Sequence, residues 1–187
     1  MSSAPVLPPT AAPDAAQSAP RWLAALLFLG GAALGFGLGE GIGWLEEGLH
    51  FSASLSTVLL LAGSAGLSFL LCRALRSRKA WLGWACGVLI GLALLGGYQA
   101  AQYAAFRAQL KAQISAQLNS QNIVPNFAAI DVQIEQIIRQ AAGGLGGYFG
   151  FLVMKMTENG ISGLGLFVMR ILLIIAAGVI TAREANK

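Results

Sequence analysis

Charge is what this chain lacks most: only 11% of its 187 residues are Asp, Glu, Lys or Arg, against about a quarter in soluble domains, while 56% are hydrophobic. That balance, with a mean hydropathy of +0.68, excludes an ordinary water-soluble domain and requires lipid around the chain. Histidine occurs once, at His50, and cysteine twice, at Cys72 and Cys86. One imidazole and two separated thiols supply neither a usual zinc or haem ligand set nor a disulfide framework, so no metal, no cofactor and no cystine scaffold is expected. No HExxH, P-loop or GxSxG sequence occurs, and catalytic residues are expected to be none. The formal charge of +4 comes without the basic stripe and interleaved aromatics of nucleic-acid readers, which excludes that partner class.

Proline is nearly absent after the first twenty residues, which hold five of the six and no basic residue. Residues 1–20 therefore read as a disordered tail, and the missing positive segment before the first apolar run argues against a cleaved signal. Long apolar runs dominate the rest of the chain. The first, from Arg21 to Trp44, is bracketed by Trp22 and Trp44, a residue that favours membrane interfaces. A second runs from about Phe51 to Leu75 and ends in the basic cluster Arg73, Arg76, Arg78 and Lys79; a third runs from Trp81 to about Tyr103; a last extends from Gly160 to Thr181. Each is near the roughly 20 residues that cross about 30 Å of hydrocarbon.

Between the third and last runs the character changes. Phe106, Leu110, Ile114 and Leu118 recur every fourth residue among Arg, Lys and Gln, so the third helix is expected to continue out of the membrane as an amphipathic helix until Pro125 interrupts it. The stretch AIDVQIEQIIRQ fits both a strand and a helix, and the helix is preferred because an isolated strand has no partner. Residues 141–157 are apolar but short and glycine-rich, which suits an interfacial or re-entrant segment better than a span, a full crossing by this segment, giving five spans, being the alternative. The expected fold is thus an all-α integral membrane protein of four transmembrane helices with a helical extramembrane segment between helices three and four: a tail at 1–20, three spans in 21–103, an outer segment at 104–159, and a fourth span with a short tail at 160–187.

Lysine and arginine bias sets the orientation. One side collects Arg21, Arg73, Arg76, Arg78, Lys79, Arg183 and Lys187; the other holds only Arg107, Lys111, Arg139 and Lys155 across the long outer segment. Both termini are expected in the cytoplasm, in a bacterial plasma (inner) membrane. An even number of spans is required for that.

The strongest local pattern is glycine. Gly31, Gly35, Gly39 and Gly43 recur every fourth residue in the first span, and Gly83, Gly87 and Gly91 repeat the device in the third. Small residues at this spacing form a glycine zipper that lets helix backbones approach closely in lipid, either within one chain or between chains of a homo-oligomer or larger membrane complex. Residues 35–43, GFGLGEGIG, also resemble the GxGxGxGxG inner helix of the ring-forming proteolipid subunits of rotary ATPases. In that family the proton-carrying carboxylate sits on the partner helix, whereas Glu40 lies inside the glycine run, and the family has no long outer segment. Gly160 to Gly163, GISG, is similar to the GxSG motif of rhomboid proteases, but no histidine follows Ser162 and His50 would have to act as its base.

Glu40 and Arg170 are the ionisable residues within the expected spans, and such residues are costly in lipid, face the bundle interior and need a partner. At 1.5 Å per residue both fall in the same half of the bilayer, so they are expected to pair, joining helix one to helix four. The function expected from these features is that of a noncatalytic accessory or scaffold subunit; the alternative is a small transporter or channel subunit using Glu40 and Arg170.

Overall fold

The computed structural model describes residues 21–49, 52–75, 80–157 and 160–185. The N-terminal tail, His50 and the basic residues Arg76, Arg78 and Lys79 lie outside the described residues, as does the side chain of Ser162. All six elements are helical: α1 (Arg21–Leu49), α2 (Ala53–Leu75), α3 (Ala80–Ser120), α4 (Phe127–Ala141), α5 (Gly147–Thr157) and α6 (Gly160–Ala185). Four of them, α1, α2, α3 and α6, are long and apolar enough to cross a membrane. At 11 residues, α5 is about 16 Å long, half of what a crossing needs.

The four long helices form one bundle in which α2 and α3 touch across the middle, α1 packs on both from one side and α6 packs on both from the other. Helices α1 and α6 do not meet. The shared core collects Leu60, Cys72, Cys86, Ile90, Leu94 and Ile174, all at most 1% exposed. Facing away from it, α1 and α6 leave Leu26, Leu29, Leu34, Leu166, Leu172 and Ile180 uncovered, an outward apolar surface compatible with lipid.

Glycine determines how close the helices come. A Cβ on Gly39 would run into the carbonyl oxygen of Leu94, and one on Gly97 into the carbonyl oxygen of Phe36, so α1 and α3 interlock backbone to backbone. Gly35 lies against Ala93 and Gly43 against Ala101 and the Tyr98 backbone, both on α3, while Gly31 faces Leu71 of α2 as well as Ile90 of α3. Gly87 and Gly91 do the same for α3 against Val179 and Ile175 of α6; Gly83 is buried in the same helix. On α2, Ser56, Ser64 and Ser68 are buried in a line with Leu60, and the Ser64 hydroxyl donates to the carbonyl of Ile174 at 2.8 Å. Gly178 lies under Ser64 and Ser68, so small residues again set the α2–α6 distance.

Helix α3 continues unbroken for 41 residues, about 60 Å, and so extends well beyond the bundle. Its extension is held by α4. Ile130, Ile134 and Ile138, each at most 1% exposed, pack at helical spacing on Tyr103, Phe106, Leu110, Ile114 and Leu118. The strand alternative for this stretch is thereby excluded, because the isoleucine face has a helical partner. The turn between the two uses Asn122 in the left-handed region and Asn126 as the N-cap, its Oδ1 accepting from the amides of Ala128 and Ala129. Arg107 and Lys111 bracket Asp131 at 3.1 and 3.5 Å across the hairpin. Gly143, Gly144 and Gly147, all at positive φ, then turn the chain back into α5.

The glycine seam makes a sharp prediction. Gly39→Ala places a methyl against a backbone carbonyl that cannot swing aside, and should cost about 1–3 kcal/mol, read as a lower melting temperature in detergent. Gly37→Ala and Gly41→Ala on the open face, where nothing lies within 4 Å, should be neutral or slightly stabilising through helix propensity. Equal effects on both faces would remove the seam from the account.

Candidate functional site: a polar cluster inside the bundle

Glu46 of α1, Gln102 of α3 and Arg170 of α6 converge on Tyr98. Its position 17 residues after Trp81 puts it about 26 Å along α3, near the end of the bundle from which the hairpin projects. The ring is 1% exposed. Its hydroxyl donates to Oε2 of Glu46 at 2.6 Å and accepts from Nε2 of Gln102 at 2.8 Å. The same Gln102 amide reaches Oε1 of Glu46 at 3.3 Å, so phenol, amide and carboxylate form a closed triangle.

Arg170 completes the cluster from α6. Its guanidinium lies over the Tyr98 ring, 4.6 Å from the centroid, and Nη1 donates to the phenolic oxygen at 3.3 Å. A cation over an aromatic face is stabilised by the ring quadrupole, and more so away from water. Among the described residues, Nε and Nη2 are buried without a hydrogen-bond partner, and so is Oε1 of Gln99. Glu46 and Arg170 thus carry opposite charges on the two outlying helices of the bundle, joined through the phenol of α3.

The expected direct pair is not what joins these helices. No ion pair within 4 Å links Glu40 to Arg170; the pairs Arg107–Asp131, Lys111–Asp131 and Arg139–Glu135 all lie in the hairpin. The reason is the arrangement of helices: α1 and α6 lie on opposite sides of α2 and α3, and an arginine on one can reach a carboxylate on the other only through a side chain between them. Tyr98 is that side chain. Glu40, half-buried one turn above the tight contact at Phe36 and Gly97, is set by the glycine seam rather than by a charge.

Tyr98, Gln102 and Glu46 are the residues that pattern reading passes over. A signal exists: the last turns of the third run, YQAAQY, place Tyr98 and Gln102 one turn apart on a face otherwise apolar. Glu46 reads as loop because it follows Trp44, yet α1 carries on through Leu49. One further concavity lies outside the bundle, an open groove of about 500 Å³ along α4, lined by Arg107, Asp131, Val132, Glu135, Gln136 and Arg139. No three His, Cys, Asp or Glu side chains gather at metal-binding distance among the described residues.

The bridge is tested by double-mutant cycles on melting in detergent. Tyr98→Phe should cost about 1–2 kcal/mol, since it strands polar groups on both neighbours. Glu46→Ala and Arg170→Gln, which share the phenol, should be non-additive by about 0.5 kcal/mol or more, whereas Glu40→Gln and Arg170→Gln should add. The reverse pattern would restore the direct pair.

Comparison with protein-family models, with curated proteins and with solved structures finds no match to this chain.

Proposed function

We propose that the chain is a noncatalytic accessory or scaffold subunit of a membrane complex, in which the four long helices are the anchor and the α3–α4 hairpin is the part offered to a partner. The observation that carries this is the tip of the hairpin. Ile123 and Val124 are exposed there, Val124 at 88%, beside the exposed ring of Phe127. Ser120 ends α3 17 residues beyond Tyr103, about 25 Å along the helix and out of reach of lipid at the bundle's end. Apolar side chains gathered at such a distance are the kind of feature that marks a protein contact. The lysine and arginine bias supports a tip on the outer side of a bacterial plasma membrane with both termini in the cytoplasm.

A second reading has one observation in its favour. Two buried guanidinium nitrogens of Arg170 have no hydrogen-bond partner among the described residues, and an intramembrane arginine left so is one of the marks of a transport path. In this reading Glu46 and Tyr98 take the place expected for Glu40.

Copurification in mild detergent, with the wild type and with Ile123→Asp/Val124→Asp side by side, separates the two. The scaffold reading expects a stoichiometric companion that is lost from the double variant while its melting temperature stays unchanged. A companion retained by the variant would contradict it. An ion flux in proteoliposomes that disappears in a stably folded Tyr98→Phe protein would put the transport reading in its place.

A further inference from the structure

Helix α5 is too short to cross a bilayer and too apolar for water: of GYFGFLVMKMT only Lys155 is charged, and it stands in the last turn. Its position is set by α3. Tyr103 lies 22 residues beyond Trp81, about 33 Å along the helix, which is one hydrocarbon thickness. Phe151 of α5 is fully buried with its ring 5.4 Å from both Tyr103 and Phe106, and Tyr148 meets Tyr103 edge-on at 5.9 Å. The Tyr148 hydroxyl points toward the carbonyl oxygen of Gly96 at 3.5 Å, two turns of α3 back toward the bundle centre. Burial pushes this phenol above its usual range. The helix therefore straddles the level at which α3 leaves the bundle.

Part of its remaining face is uncovered, Leu152, Val153, Met154 and Met156 being half-buried. Phe149 is 72% exposed and Leu145, in the turn before, 52%. Helix α5 also packs against α6, whose first turns expose Leu164, Leu166 and Met169. The apolar surface of α5 thus adjoins the outward surface of a span, at the same end of the bundle.

We infer that α5 is an interfacial helix whose Phe149 and Leu145 enter the acyl-chain boundary of the leaflet on the hairpin side, so that the partner of this surface is lipid. An 11-residue helix lying in that boundary needs no second helix to satisfy its backbone, and its aromatic rings suit a region that is apolar below and wet above. Phe149 and Val124 are both exposed apolar residues, yet their surroundings differ: lipid for the first, water or protein for the second. The inference rests on reading α1, α2, α3 and α6 as spans.

Nitroxide labels test it in proteoliposomes, placed by Phe149→Cys, Val124→Cys and Leu172→Cys in a Cys72→Ala/Cys86→Ala background. Collision with oxygen, which partitions into lipid, is compared with collision with a water-soluble nickel chelate. The Leu172 position should favour oxygen strongly, Phe149 should favour it at a shallower depth, and Val124 should favour the chelate. Chelate access at 149 equal to that at 124 would overturn the inference, as would a label at 149 shielded from both reagents, which would mean a protein cover. Chelate access at 172 would instead sink the reading of α6 as a span. Leu145→Cys supplies the same readout if Phe149→Cys does not fold.

Discussion

The contact between the backbones of α1 and α3 is the constraint on which the remaining architecture depends. Inside hydrocarbon there is no hydrophobic effect between helices, so their cohesion comes from close packing and a few polar contacts. Gly39 under the Leu94 carbonyl and Gly97 under the Phe36 carbonyl bring the two helices together at backbone distance. Once α1 and α3 are locked in this register, Glu46 arrives at the level of Tyr98 and Gln102, one turn beyond the last glycine of the seam. The opposite seam, Gly87 and Gly91 against Val179 and Ile175, fixes α6 at the height at which Arg170 reaches the same phenol.

Packing and charge therefore act together. The cost of holding an arginine among apolar helices is offset in part by the Tyr98 ring beneath it and the phenolic oxygen beside it, and Glu46 supplies the compensating charge one hydrogen bond away. Such a three-helix bridge is directional. It ties α1 to α6 without requiring them to touch, and it sits at the end of the bundle from which the hairpin rises, next to the rings of Tyr103, Tyr148 and Phe151 that seat α5.

Much of the fold was legible in the sequence because lipid makes simple demands. Runs of about 20 apolar residues have to be helices, and the fourfold repeat of Phe106, Leu110, Ile114 and Leu118 announced an amphipathic extension of α3, although only the structure shows that the isoleucines of α4 cover it. The glycine stripe pointed to a close approach, although one chain's pattern could not say against which helix. The polar cluster was less legible. Depth along a helix can be counted from residue numbers, and it placed Glu40 and Arg170 in the same half of the bilayer. Neighbourhood around the bundle cannot be counted that way, and it is neighbourhood that separates α1 from α6 and makes Tyr98 the intermediary. Gly37 and Gly41 fall off the fourfold row of Gly31, Gly35, Gly39 and Gly43, and a Cβ added at either meets no other described residue within 4 Å.

The central claim is that four helices cross a membrane and that α3 carries its hairpin out on the side opposite the end of α6. Labelling of single introduced cysteines in sealed, oriented vesicles with a membrane-impermeant maleimide measures this directly, using Ser120→Cys at the end of α3 and Arg183→Cys in the last turns of α6, with the native thiols buried. The account predicts that each position reacts from one side only and that the two sides are opposite. Reaction of both from the same side would require an odd number of crossings between Ser120 and Arg183 to be replaced by an even one, and would contradict the four-helix arrangement.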